Sequence, residues 1–106
     1  MRLSMVALLA NPDKASGSRV IVDGWLVAEF ERRALYLSRE HAENLDSSSA
    51  VWIECSESLW RNISANSRRW ATVRGAFSTH DKGHMGMYPG TLKVTDVTFI
   101  DAVFRD

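Results

Sequence analysis

A chain of 106 residues, 45% hydrophobic and 25% charged, has the size and composition of one globular domain, which excludes a second core and extensive disorder. Thirteen Lys and Arg residues balance thirteen Asp and Glu residues, so a net charge of zero provides no general attraction to a polyanion. The single cysteine excludes an intrachain disulfide, and no segment reaches the roughly 20 apolar residues of a membrane-spanning helix. We therefore expect a single domain over residues 1–106, soluble and cytoplasmic, with no signal peptide and no membrane partner.

The first predicted element is a short helix within residues 1–12, packed on the rest of the domain. Ser4 can cap this helix, and Pro12 prevents its continuation. Its apolar face is formed by Met5, Leu8 and Leu9. A turn-rich connection follows at 13–18.

From residue 19 the hydrophobic pattern changes to a period of two, which is typical of a β-strand. The side expected to face the core carries Val20, Val22, Gly24, Leu26, Ala28 and Phe30. Gly24 predicts a sharp bend or a close approach of backbone. The opposite side carries an apolar trio, which either lies under the N-terminal helix or faces a partner: Ile21, Trp25 and Val27.

Two further strands are predicted at 34–38 and 50–55, joined by a polar segment at 39–49. The residues expected to face the core are Leu35, Leu37, Val51, Ile53 and Cys55. By alternation, Tyr36 and Trp52 then project from the outer face of these two strands. Cys55 is accordingly predicted to be a small buried hydrophobic residue and not a nucleophile.

The second half predicts a short helix, a loop and two strands. Ser56 or Ser58 caps a helix that ends near residue 63. The fourth strand, 69–79, turns Ala71, Val73, Gly75 and Phe77 inward. In the loop 79–90 we expect at least one of Gly83, Gly86 and Gly90 to have a positive φ. The last strand, 91–104, has a predicted bulge near Asp96.

Five strands, with a helix between the third and fourth, indicate a mainly β protein: a five-stranded OB-fold, a partly open Greek-key barrel, with an N-terminal helix. SH3-like barrels and other small meanders share this spacing. Five motifs are informative, and the last of them, the loop, is the most particular, whereas many OB-folds share the glycine-strand patterns: Gly17-x-x-Val20-x-Val22-x-Gly24, Ala34-Leu35-Tyr36-Leu37-Ser38, Val51-Trp52-Ile53, Val73-x-Gly75-x-Phe77 and Lys82-Gly83-His84-Met85-Gly86. Over nearly the whole chain they resemble a family of small, mostly uncharacterised bacterial OB-fold proteins. The resemblance implies this fold and no established activity, so it implies no catalytic residues.

The candidate ligand-binding surface combines aromatic and basic side chains: Tyr36, Trp52, Trp70, Arg68, Arg69, Arg74 and His84. Such a set suits single-stranded nucleic acid, because bases stack on aromatic rings while arginines neutralise phosphates. Residues 29–57, however, hold seven acidic and three basic residues, whereas residues 61–93 hold one acidic and six basic residues. The second and third strands, which OB-folds commonly use for oligonucleotides, thus lie in the half that repels phosphate.

Opposite charges in the two halves suit a protein partner or self-association instead. We therefore expect a non-enzymatic binding module for a protein or for another copy of itself. The alternative is a single-stranded oligonucleotide-binding OB domain.

Neither a cofactor nor catalysis is predicted. His80 and His84 have a spacing that can hold a metal on a helix, but Gly83 and Gly86 disfavour a helix and a third ligand is missing. Ser78, His80 and Asp81 are residue types of a catalytic triad, but neighbours at one strand end cannot align as nucleophile, base and orienting group.

Overall fold

The computed structural model describes the backbone of residues 1–106 and every side chain except that of His84. Within this description the chain is mainly β, and its strands form one mixed sheet of seven. The strands are β1 Arg2–Leu3, β2 Arg19–Glu29, β3 Arg32–Tyr36, β4 Ala50–Glu54, β5 Arg69–Ser78, β6 Thr91–Thr98 and β7 Val103–Arg105. The helices are α1 Met5–Ala10, α2 Pro12–Ala15, α3 Arg39–Glu43 and α4 Glu57–Ser64, with 3₁₀ turns at Ser47–Ser49 and His84–Gly86.

The pairings of the five longer strands return on themselves. β2 pairs with β3 and β3 with β4, both antiparallel, and β4 pairs in parallel with β6. β6 is antiparallel to β5, and β5 is antiparallel to β2. Two short strands extend this arrangement, since β1 runs parallel to β2 and β7 runs antiparallel to β6. The five strands predicted from the sequence are all present, although neither short strand was predicted as a separate element.

The inward side chains follow the predicted alternation. Val20, Val22 and Leu26 of β2 and Val73 and Phe77 of β5 are all buried. Helices α1 and α4 contribute to the same core through Met5, Leu8, Leu59 and Ile63. Both helix starts are confirmed, because Ser4 Oγ accepts from the Ala7 N–H at 3.0 Å and Ser56 Oγ accepts from the Leu59 N–H at 3.2 Å.

Gly75 allows β5 and β6 to approach closely. A Cβ atom at this position would overlap the backbone carbonyl of Lys93 on β6. Beside it the register shifts, because Arg74 pairs with Asp96 while Gly75 pairs with Val94, which leaves Thr95 as the extra residue of a bulge. The bulge predicted near Asp96 is therefore present.

The polar segment 39–49, for which the sequence predicted no element, contains α3. Ser38 caps the start of this helix, where its hydroxyl accepts a hydrogen bond from the His41 N–H at 3.2 Å.

Three local predictions are wrong in detail. The connection 13–18 begins inside α2, because Pro12 fits the first turn of a helix. Phe30 does not face the core but is 85% exposed, because β2 ends at Glu29 and the chain turns. The last predicted strand is divided into β6 and β7 by the segment 99–102.

None of the described helices has the length and apolar character required to cross a bilayer.

Candidate binding surface

A row of aromatic residues crosses the outer face of the sheet. Trp70 on β5 pairs with Trp25 on β2, and Trp25 pairs with Tyr36 on β3. Cross-strand partners share a face, so the three rings are neighbours. Their exposure falls steeply along the row: Trp70 is 55% exposed, Trp25 is half-buried and Tyr36 is only 2% exposed.

Arg32 and α3 cover Tyr36. The Arg32 guanidinium lies over the Tyr36 ring, 5.2 Å from its centroid, and Nε donates to the Tyr36 hydroxyl at 3.1 Å. The same guanidinium donates to the carbonyl of Ala42 on α3. The sequence correctly predicts that Tyr36 projects outward. The prediction that its ring is available to a ligand is wrong, because Arg32 and α3 bury it.

The loop 79–90 covers the neighbouring part of this face. Tyr88 is buried beside Tyr36, and burial, with a smaller contribution from its hydrogen bond to Tyr36, raises the pKa of Tyr88 to about 12. Trp52 lies against Tyr88 with ring centroids 5.3 Å apart and is half-buried. Gly83, with φ of 72°, packs on Trp52 so closely that a Cβ would overlap the indole.

Together these residues form a second apolar cluster outside the main core, consisting of Val27, Ala34, Tyr36, Ala42, Ala50 and Tyr88, with Trp25 and Trp52 at its margin. The outer apolar residue Val27 is therefore covered by this cluster and not by the N-terminal helix. The positive φ expected in the loop is confirmed at Gly83 and also at Gly86.

Trp70 borders an open groove of about 390 Å³. Its indole meets that of Trp25 edge-on at a centroid distance of 5.7 Å, so the pair forms a ridge at one side. Ile100, which is fully exposed, stands on the groove as well. The groove is lined by Asp23, Trp70, Ala71, Thr72, Thr98, Phe99 and Ile100.

Each candidate arginine has an acidic partner. Arg68 binds both carboxylate oxygens of Glu29, at 2.7 and 3.1 Å. Arg69 donates to Asp101 at 2.6 Å, which lowers the pKa of that carboxyl, and its guanidinium stacks over Phe99 at 4.8 Å. Arg74 approaches Asp96 at 3.7 Å. Trp70, Arg69 and Arg74 share one strand, whereas Tyr36 and Trp52 lie on the covered side.

Five basic residues form a set on the outer face that the sequence did not predict to be one surface: Arg2, Arg19, Arg74, Lys93 and Arg105. One row of paired positions runs Arg2, Ile21, Arg74, Asp96, Arg105 across five strands. The next row runs Arg19, Ala76, Lys93. Alternation in the sequence places Arg19 and Arg74 outward, but it contains no signal that β1 and β7 add Arg2 and Arg105.

Three residues that the sequence analysis considered for metal binding or reactivity remain: His80, His84 and Cys55. The side chain of His84 lies outside the described residues, and His80 is exposed. Among the described side chains, no three His, Cys, Asp or Glu residues converge as a metal site requires. Cys55 is partly buried, and burial, followed by the charge of Asp106, raises its thiol pKa to about 11.

No protein-family model matches the sequence, and no curated protein is significantly similar to it. The resemblance to bacterial OB-fold proteins therefore stays a prediction.

Proposed function

We propose that the chain is a non-enzymatic OB-fold binding module whose ligand is a protein, including another copy of itself, bound on the outer face of β2, β5 and β6. The order in which the five longer strands pair, with α4 between β4 and β5, supports the OB assignment because it matches the Greek-key order of that fold. The one observation that carries the choice of ligand is the exposure of Trp70 and Ile100 at a single groove.

Exposure of these two side chains is costly unless something covers them. Removing apolar surface from water contributes about 25 cal/mol per Å², and a large aromatic residue buries roughly 150–250 Å². Tryptophan and arginine are also enriched in protein interfaces, whereas lysine is depleted. The outer face fits that composition, since its basic set has four arginines and one lysine.

Burial of Tyr36 and partial burial of Trp52 also favour a protein ligand. In an oligonucleotide-binding OB domain, rings on this part of the sheet are available for base stacking. Here Arg32, α3 and the loop 79–90 occupy that position. Single-stranded nucleic acid remains the second candidate, favoured by one observation: exposed Trp70 lies on the same strand and face as Arg74.

Site-specific photo-crosslinking in the native host tests this proposal. A benzoylphenylalanine replaces Ile100, and a matched control replaces Val6, which is 63% exposed on α1. We expect a protease-sensitive adduct at position 100 and none at position 6. A nuclease-sensitive adduct at position 100 would favour the second candidate, and the absence of any adduct there would refute both.

A further inference from the structure

We propose that the occupant of the groove is the β2–β3 turn of a second copy of this chain, with Phe30 inserted between Trp70 and Ile100. This inference rests on the proposed function and names the partner. Phe30 is 85% exposed, and Glu29 and Glu31 flank it. The turn therefore presents an aromatic side chain within a short acidic segment.

The groove and the turn match in apolar character. Trp70 and Ile100 line the groove with an exposed aromatic ring and an exposed aliphatic side chain, and Phe99, which is largely buried, completes its apolar lining. A phenylalanine ring can meet such a site edge-to-face, as the Trp25 and Trp70 rings already do at 84° between their planes. In a single copy Phe30 and Ile100 both remain exposed to solvent, so Phe30 does not fill the groove of its own chain.

The charges around the groove match as well, because Asp23, the one charged residue in its lining, is already paired with Arg2 at 3.3 Å. Glu29 is held by Arg68, but in the described part of the chain no cation lies within ion-pair distance of Glu31. The five cations of the basic set lie beyond the groove. Among the described side chains, they form ion pairs only with Asp23 and Asp96. Asp96 alone serves both Arg74, at 3.7 Å, and Arg105, at 3.2 Å. The excess positive charge on this face complements Glu31 of a second copy.

The turn and the groove lie at the same end of the sheet. Arg68 contacts Glu29, which precedes Phe30, and the adjacent Arg69 contacts Asp101, which follows Ile100. When two complementary patches are neighbours on one molecule, a two-fold axis can bring each patch against the other twice. The contact is therefore a closed dimer in which each Phe30 occupies the groove of its partner, and not an open chain.

Sedimentation equilibrium from about 1 to about 500 μM tests the inference, because mass action populates a dimer as concentration rises. We expect the mass to rise from 11.9 kDa towards twice that value. Phe30→Ser and Ile100→Ser should each weaken the dimer at least tenfold, whereas Val6→Ser should not. These three side chains are exposed, so their replacement leaves the core intact, which thermal denaturation checks.

Exchange of the charges at Glu31 and Arg74 provides the decisive experiment. Glu31→Lys alone and Arg74→Glu alone should each reduce dimerisation at least tenfold, since like charges then face each other twice. An equimolar mixture of the two variants should recover a heterodimer. In that heterodimer the two substituted side chains, now of opposite charge, meet at one contact, while the second contact keeps the native Glu31 and Arg74. Glu40→Lys, on α3, is the matched charge control.

A wild-type chain that stays monomeric throughout, or a dimer that Phe30→Ser leaves unchanged, would overturn the inference. The crosslink at position 100 distinguishes this failure from failure of the proposed function. An adduct to a different protein would retain the protein-binding function without self-association. An adduct of twice the chain mass that Phe30→Ser abolishes would support the inference.

Discussion

The indole of Trp70 lies edge-on against that of Trp25, with 5.7 Å between the ring centroids. The two residues are 45 positions apart, and the antiparallel pairing of β2 with β5 makes them direct neighbours. Trp25 in turn pairs with Tyr36, so an exposed ring, a half-buried ring and a buried ring stand side by side. This gradient separates the covered half of the outer face from the half that is open to a ligand.

Replacement of Phe77 tests the main core. Phe77 is 1% exposed, and Phe77→Ala should reduce the free energy of unfolding by about 3–5 kcal/mol, because it removes buried apolar surface and leaves a cavity. Urea denaturation measures the change, with the exposed Val6→Ser as control. A loss below about 1 kcal/mol would show that the inward face of β5 is wrongly assigned.

Addition of one carbon atom at Gly75 tests the close approach of β5 and β6. Gly75→Ala should destabilise the chain by about 1–3 kcal/mol, the usual cost of overpacking, because the new Cβ meets the Lys93 carbonyl. Gly86→Ala is the comparison, since nothing lies near a Cβ there and only its positive φ opposes the change. Equal stability of wild type and Gly75→Ala would contradict the observed packing.

Alkaline titration tests the burial of Tyr88. Its pKa is raised from 10.0 to about 12, so the unfolded chain releases this proton first as pH rises. Stability from the neutral phenol is thus complete below pH 10 and is lost as pH rises through about 12. Tyr36→Phe should shift the phenolate absorbance of Tyr88 to lower pH. The folded wild type has two tyrosines, and titration of both phenols near pH 10 would refute the burial of Tyr88.

The thiol of Cys55 should react slowly. With its pKa raised to about 11, little thiolate exists at neutral pH. Reaction with iodoacetamide at pH 8 should be roughly tenfold slower than that of an unhindered cysteine, after allowance for the greater nucleophilicity of a more basic thiolate. The rate should increase with pH to about 11, and mass spectrometry follows the modification. Fast labelling at pH 7 would contradict this environment.

Oligonucleotide titration separates the two candidate ligands. We expect no appreciable binding of labelled single-stranded DNA at physiological salt, because acidic partners occupy Arg68 and Arg69 and because Tyr36 is buried and Trp52 is half-buried. Salt-sensitive micromolar binding that Trp70→Ala abolishes and Trp52→Ala leaves unchanged would instead support nucleic acid on the open face. Loss of DNA binding in Trp52→Ala but not in Trp70→Ala would indicate that the loop 79–90 opens.

Local patterns in the sequence were sufficient for much of the fold. Alternation predicted which side chains of β2 and β5 face the core, because successive side chains of any strand point to opposite faces. Ser4 predicted the start of α1, and the pair Ser56 and Ser58 predicted the start of α4, where Ser56 is the cap, because a cap acts within three residues. These interactions depend on near neighbours, so they can be read without knowledge of the rest of the chain.

Only the tertiary structure decided which outward side chains are available. Tyr36 and Trp70 are both outward by alternation, yet Arg32, α3 and the loop 79–90 cover the first while more than half of the second stays exposed. The basic set likewise depends on β1 and β7, which join the sheet from opposite ends of the chain. The period of a strand determines the direction in which a side chain points. Whether that side chain is buried depends on segments distant in sequence, whose positions are set by the packing of the whole chain.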